Sequence, residues 1–389
     1  MTATIRVISF PNELRKVEGN WNTLIKKCGK NPLCLSGFIK QFMQFNRSRG
    51  WTPLILVIST GDTIMGISPL TTKKILGVRF VKFLSGFRVS SSFIVDNQYQ
   101  EICMAYTLYF LFRILRCQFV ELTLPAESPI LPILKQNCKT ESIYFSAKPT
   151  KGHCVIPIRF TWDEFIKLKN HSFRSDLKRM QSNLDRAGSW KITCIRNGDK
   201  ESDALEKICK VEKTSWKEAW RTQMGTKMDE DLLMIWNGAQ YMATVEPNFE
   251  WRVWFLELNG QTLAYSLVLQ YKDTAFIIKT SYNVQYKRFY PGIYVNNATI
   301  RELFNEGHVG NIDFLTDLSF MRTWTSACLP RVRVMMSQKG ISSIILSIMI
   351  KLENLLRLKL SDILFLPLTK KEILRIFWRA LREGKASLS

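Results

Sequence analysis

An α/β fold (α+β mixed) is what this sequence predicts: mixed, mostly antiparallel sheets flanked by helices, in two similarly ordered halves. Two observations carry that prediction. Gly and Pro punctuation cuts the 389 residues into short apolar runs of strand length, separated by longer runs with helical spacing. Both halves then repeat one order, an antiparallel meander followed by a helix and a further strand. The strand–helix–strand step favours parallel pairing of its two strands, because only a crossover returns the chain in the same direction.

In the first half, TPLILVIST (residues 52–60) reads as a strand, and Gly61-Asp62 turns it into IMGISPLTT. VRFVKFLS (78–85) is the third strand and SSFIV (91–95) a short fourth. A helical pattern covers about 98–116, and the strand FVELTLP (119–125) follows. In the second half, WRVWFLEL (251–258) meets Asn259-Gly260, a strong hairpin signal. LAYSLVLQY (263–271) pairs back, and Lys272-Asp273 turns into AFIIKTSY (275–282). A helix carrying Ile293, Ile300, Leu303 and Phe304 follows, with Gly307 as its C-terminal stop, and then the strand NIDFL (311–315). Between the halves, TWDEFIKLKN, the basic SFRSDLKRMQSNLDRAG, ALEKICKVEKTSWKEAW and DEDLLMIWNGAQYMATV all read as helices. These patterns predict domains over 1–150 and 151–340, divided near Lys148-Pro149-Thr150-Lys151-Gly152.

The tail over 341–389 differs. It is apolar at helical spacing, with nine Lys/Arg against four acids. Two readings stand side by side: a basic amphipathic helical element for an anionic membrane surface or partner, and a helix docked on the body.

Charge limits the function classes. Lys plus Arg number 55 against 33 Asp plus Glu, a net +22, so polyanions, anionic lipid and phosphorylated ligands are attracted. The charge is spread along the chain, without a basic stripe interleaved with aromatics or a recognition module, so no DNA partner is expected. Nine cysteines, no CxxC pair and three dispersed histidines (His153, His171, His308) predict no metal site. Unpaired cysteines, no secretory-type leader in MTATIRVISFPNELRKVEG and no apolar run of about 18 residues predict a cytoplasmic protein. The inner membrane face is a second location if the tail lies on lipid.

The stretch YKRFYPGIYVNNATI (286–300) carries the functional signal. A strand feeding a helix through a glycine turn offers free backbone N–H groups and a positive dipole end, a natural anion site. Gly292 permits close backbone approach, Pro291 sets the turn, and Lys287 and Arg288 add charge. Ordinary turn chemistry explains the same residues, and the local pattern leaves both open.

The wider order decides more. FRSDLKRMQSNLDRAG, with Arg174, Leu177, Lys178 and Arg179, resembles a basic R-x-x-L-R-R helix. VEKTSWK, with Glu212, Ser215 and Lys217, resembles an E-x-x-S-x-K element. The segments LELNGQTLAYSLVLQYKDTAFIIKTSYNVQYKRFYPGIYV and IDFLTDLSFMRTW resemble a hairpin with a P-G loop and a D-F-G-x-G…Y-K segment. In this order, over about 150–337, the chain resembles the CelD-like acetyltransferase family of the GNAT superfamily, related to the Fem-type aminoacyltransferases. The first half resembles that family's degenerate N-terminal domain, so the resemblance implies tandem GNAT-like domains. Its counterpart of the phosphate loop, Val95-Asp96-Asn97-Gln98, has an acid and no Gly, and is expected to bind no coenzyme.

The resemblance implies an acyltransferase that uses acetyl-CoA or another acyl-CoA as co-substrate. The implied acceptor is an amine or hydroxyl of an amino sugar, a polysaccharide precursor or a similar polar molecule, held in a cleft between the domains. The coenzyme would rest on Lys279, Tyr286, Lys287, Arg288, Pro291, Gly292 and Ile293. An amine attacking a thioester needs a base, an oriented acceptor and a stabilised oxyanion, but no covalent enzyme intermediate. Asp313, Tyr282 and Glu212 are the catalytic candidates; Arg174, Lys178, Lys217 and Asp317 are the substrate-binding ones. Competing readings are a strand-end hydrogen bond for Asp313, packing for Tyr282 and Tyr286, and charge pairing on a solvated face for Glu212, Lys217 and the basic helix. Asp317 also suits a turn or helix cap. Asn283 stands where the family has Asp, Leu315 and Asp317 where it has Gly, and Met321-Arg322 where it has Tyr-Lys. The alternatives are an aminoacyl-tRNA-dependent transferase, whose tRNA partner suits the charge, and a non-catalytic membrane-surface protein.

Overall fold

The computed structural model describes residues 3–29, 31–75, 77–86, 92–199, 203–218 and 228–340. The basic tail over 341–389 lies outside the described residues, as does the end of the helix expected over 204–220. Among the described residues, 3–28, 42–150 and 332–340 group into one compact unit, and 29–41 with 151–331 into another.

The first unit begins with β1 (Thr4–Ile8), α1 (Pro11–Leu14) and α2 (Glu18–Cys28), and takes in the end of α3 (Ser36–Ser48). The meander expected from turn signals is β2 (Thr52–Thr60), β3 (Thr63–Ile75) and β4 (Val78–Phe83), all antiparallel, with β5 (Ile94–Val95) beside β3. The helix α4 (Gln100–Tyr109) leads to β6 (Phe119–Pro125), which pairs parallel with β4, as a crossover requires. The helix α5 (Ile130–Thr140) follows. Leu56, Ile58, Leu70, Met104, Leu108 and Leu134 lie in one buried cluster between sheet and helices. Asp96 caps the turn after β5 through Gln98 N–H and binds Lys27 Nζ at 2.5 Å, so an acid paired with a base holds this unit's strand-to-helix turn.

The strand β7 (Ile143–Pro157) runs unbroken through Lys148 to Gly152, the stretch in which the two compact units divide, between Thr150 and Lys151. Pro149 and Gly152 are strand residues. A Cβ on Gly152 would stand 2.3 Å from the Leu329 carbonyl oxygen, so this glycine permits backbone contact and marks no hinge.

In the second unit, α6 (Trp162–Lys167) opens with a capping box between Thr161 and Glu164. Asn170 accepts from Phe173 N–H to start α7 (His171–Ala187). Next come β8 (Trp190–Arg196), α8 (Ala204–Lys213) and α9 (Met228–Val245). The meander is β9 (Phe249–Leu258), β10 (Gln261–Tyr271) and β11 (Thr274–Tyr282). Asn259 and Gly260 both take positive φ, 50° and 78°, as a two-residue hairpin turn demands. The helix α10 (Pro291–Asn305) then leads to β12 (Asn311–Asp313), parallel to β11. Gly307, at φ 72°, follows the end of α10. Strand order is β7-β12-β11-β10-β9-β8, and β13 (Cys328–Gln338) closes the described chain.

Strand alternation divides this sheet's faces. Trp254, Leu256, Ala264, Val268, Ala275, Ile277 and Ile312 share a cluster with Leu177, Met180, Leu184, Val295, Ile300 and Leu303 of α7 and α10. Each such aliphatic side chain contributes about 1.5–3 kcal/mol on burial. The alternate residues, including Tyr265 and Asp313, face the other side, where α8 packs on β10 and β11.

Candidate functional site

β11 and β12 are in register only over Thr274–Phe276 and Asn311–Asp313. β11 continues to Tyr282 paired with β10 alone, so the two parallel strands part after Phe276. The register with β10 jumps from Leu267–Lys279 to Val268–Ile277, which leaves Ile278 as a bulge in β11 where it leaves β12. A bulge of this kind re-aims backbone groups beside the opening.

The loop after β11 is tightly specified. Asn283 Oδ1 accepts from Gln285 N–H at 3.0 Å and caps a 3₁₀ turn over Val284–Phe289. Aspartate makes the same cap, so Asn283 fills a structural role that either residue can serve. Tyr286 donates to the Gln261 side-chain oxygen and stacks near Phe289. Lys287 and Arg288 are exposed, and Arg288 lies over the Phe289 ring, 4.7 Å from its centre. Tyr290 takes a left-handed conformation (φ 52°, ψ 46°), which costs a non-glycine residue about 1 kcal/mol or more. Pro291 is the first residue of α10, and no side chain caps that end. A Cβ on Gly292 would meet Tyr282 Cδ1 at 3.1 Å, so glycine lets the tyrosine ring lie against the helix start. Ile293, half-buried, packs on the core beside it.

The structure separates the three catalytic candidates. Tyr282 sits with the helix start on the α10 side, opposite Ala264 in register. Glu212 and Asp313 belong to the other face. Glu212 is fully buried; it accepts from Tyr265 Oη, and Lys217 Nζ stands 3.7 Å from it. Lys217 also donates to the Thr280 carbonyl at 2.7 Å, on the stretch of β11 that β12 has left. Glu212 and Lys217 do not share a helix: α8 ends at Lys213, and Ser215 bridges to Asn283. The two residues thus tie α8 to β11. Lys279 is half-buried opposite Leu267.

Asp313 meets a residue that sequence reasoning set aside. His153 Nδ1 lies 2.7 Å from Asp313 Oδ1, with both side chains about nine-tenths buried. The Leu315 N–H donates to the same oxygen at 2.7 Å. Leu315 has φ 55°, a conformation that glycine adopts more easily. Burial pushes the Arg331 guanidinium below its usual range, and the Asp313 carboxylate opposes that shift. No local signal links His153 to Asp313; the pairing of β7 with β12 brings them together.

Asp317 and Arg322, two departures from the family pattern, are partners. Arg322 Nε and NH2 donate to the two Asp317 oxygens at 2.7 and 2.6 Å. The Arg322 hydrogen bond holds the Asp317 carboxyl down to about 2. Cys154, Cys328 and Asp317 place ligand atoms within 4.8 Å of one another. Burial pushes the Cys154 thiol up to about 12, and both Asp317 oxygens already bind Arg322, so a cation there would have to displace the guanidinium and deprotonate the thiol. On α7, Arg174 and Lys178 line a cavity shared with α10, while Arg179 pairs with Asp176 at 2.7 Å.

The comparisons with known proteins agree with this geometry. Residues 171–320 match the family model described as "Acetyltransferase (GNAT) domain", which supports the GNAT superfamily and the acyltransferase class for this stretch. Such domains use acyl-CoA as co-substrate. No curated protein matches the chain. Among solved structures, the crystal structure of FemX is similar at 12% identity and a TM-score of 0.56, over 86% of this chain and 97% of that one. A conserved protein of unknown function from Bacteroides thetaiotaomicron is similar at 8% identity and a TM-score of 0.53, over 86% and 100% of the two chains. At these identities the likeness is one of fold. No helix among the described residues is long and apolar enough to cross a membrane.

Proposed function

We propose that this protein is an acyl-CoA-dependent N- or O-acyltransferase of the CelD-like type, acting on an amino sugar, a polysaccharide precursor or a similar polar acceptor. One observation carries the reading: β11 parts from β12 beside a helix start that no side chain caps and whose Gly292 lacks a Cβ against Tyr282. Those features suit a diphosphate on the Gly292 N–H and the positive end of the helix, since the Ile293 and Tyr294 N–H groups already donate to the Tyr290 carbonyl, and a thin chain between the strands. Gly292, Ile293 and the exposed Lys287 and Arg288 would hold the donor. The donor supplies an acyl group activated as a thioester.

The residues of the protein do the rest. Donation from His153 Nδ1 to Asp313 leaves Nε2 as the basic atom, able to take the proton of the acceptor amine or hydroxyl. Asp313 fixes the imidazole in that tautomer. Lys217, held by Glu212, keeps the free stretch of β11 in place through Thr280. Tyr282, against Gly292 at the helix start, would border the diphosphate end of the donor. Thiol release from acetyl-CoA, followed over a panel of amino sugars and hydroxylated sugars, tests the proposal. Acceptor-dependent release supports it, and no release with any acceptor, from protein that binds the donor, counts against this acceptor class.

The net charge of +22 favours a second reading, transfer from an aminoacyl-tRNA. That reading predicts tRNA binding that weakens steeply with salt.

A further inference from the structure

A cavity of about 470 Å³ lies among α6, α7 and α10, within the size range of small-ligand sites. Its chemistry is one-sided. Arg174 and Lys178 come from successive turns of α7, and Arg301 faces them from α10. Among the described residues, no Asp or Glu lines it. Trp162 and Tyr294 supply flat aromatic walls, and each is held by ring contacts: Trp162 against Phe304 and Tyr294 against Trp190. Two lining residues carry buried polar atoms without a hydrogen-bond partner among the described residues, Arg174 Nε and Asn297 Oδ1. Buried polar atoms are almost always paired, so two orphans on one cavity point to a missing partner. The Asn297 amide presents either a donor or an acceptor there, according to its rotation.

We infer that this cavity is a second ligand site, which binds a nucleoside diphosphate. Arg174, Lys178 and Arg301 neutralise the diphosphate, and its ring lies on Trp162 or Tyr294. Guanidinium groups fork onto phosphate oxygens, and an aromatic face takes a base. The cavity residues on α10 begin at Tyr294, two residues beyond Gly292, and continue to Arg301, so the site extends along the helix away from its N-terminus. The inference goes beyond the donor reading. The nucleotide is that of an acceptor activated as a nucleoside diphosphate, because the donor's single diphosphate is assigned to the helix start.

The test is calorimetric titration of the full chain with UDP, ADP and coenzyme A. Wild type, Lys178→Gln/Arg301→Gln and Gly292→Trp are compared. Lys178 and Arg301 are exposed, so the double variant retains its fold, which circular dichroism verifies. We expect UDP or ADP to bind wild type, about tenfold or more weakly to the double variant, and undiminished to Gly292→Trp. Persistence of nucleotide binding under saturating coenzyme A assigns the site to the acceptor. Competition by coenzyme A overturns the inference, because the nucleotide site is then the donor's own. The inference is overturned if neither nucleotide binds folded wild type, or if the double variant binds as wild type does. It is also overturned if Gly292→Trp alone abolishes binding, which puts the diphosphate on the helix start.

Discussion

Replacing Gly292 with alanine separates donor binding from folding. The new Cβ stands 3.1 Å from Tyr282 Cδ1, a few tenths of an ångström inside ordinary carbon–carbon contact. Tyr282 is half-buried and can yield, so crowding costs about 1 kcal/mol. Alanine in a helix returns up to about 1 kcal/mol over glycine. Net stability therefore changes by less than about 1 kcal/mol. Binding has no such compensation. The methyl group occupies the space through which a diphosphate reaches the Gly292 N–H, and the displaced tyrosine ring narrows it further. Acetyl-CoA affinity should fall about tenfold or more, about 1.4 kcal/mol. Urea unfolding measures the first quantity and calorimetric titration the second. If Gly292→Ala and Gly292→Trp both bind acetyl-CoA as wild type does, the donor does not rest on this helix start and the reasoning fails.

Three further outcomes follow from the same site. Tyr265→Phe removes a donor from the buried Glu212 carboxylate and should lower stability by about 1–3 kcal/mol in urea unfolding; no change would show that this hydrogen bond does not hold α8 to the sheet. His153→Gln should lower turnover about 10²–10⁴-fold while acetyl-CoA affinity stays within about twofold, and undiminished turnover would remove His153 from the chemistry. Asp317 titrates near 2 when folded against an ordinary 3.8, so its contribution is present above about pH 4 and is lost as pH falls toward 2. Arg322→Ala should abolish that acid-side loss in pH-dependent thermal melts, and an unchanged acid limb would contradict the ion pair.

Much of the fold is local information. Period-two alternation, the Asn259-Gly260 turn, the Gly307 stop and the strand–helix–strand order each depend on residues close in sequence, and together they determine the meanders and the parallel pairs β4–β6 and β11–β12. The turn into α10 is legible for the same reason, because Pro291 and Gly292 act on their own backbone. What lies across strands is not local. His153 and Asp313 are 160 positions apart and meet only because β7 pairs with β12. The register of β10 with β11 decides that Tyr282 faces one side of the sheet, while the alternation of β12 turns Asp313 to the other. The approach of the Leu329 backbone to Gly152 is likewise not local. The sequence by itself determined the two meanders, the helices of the middle region and the Pro291–Gly292 turn into a helix. Only the tertiary structure decided which side chains share a face, because strand pairing is chosen by burial over the whole sheet.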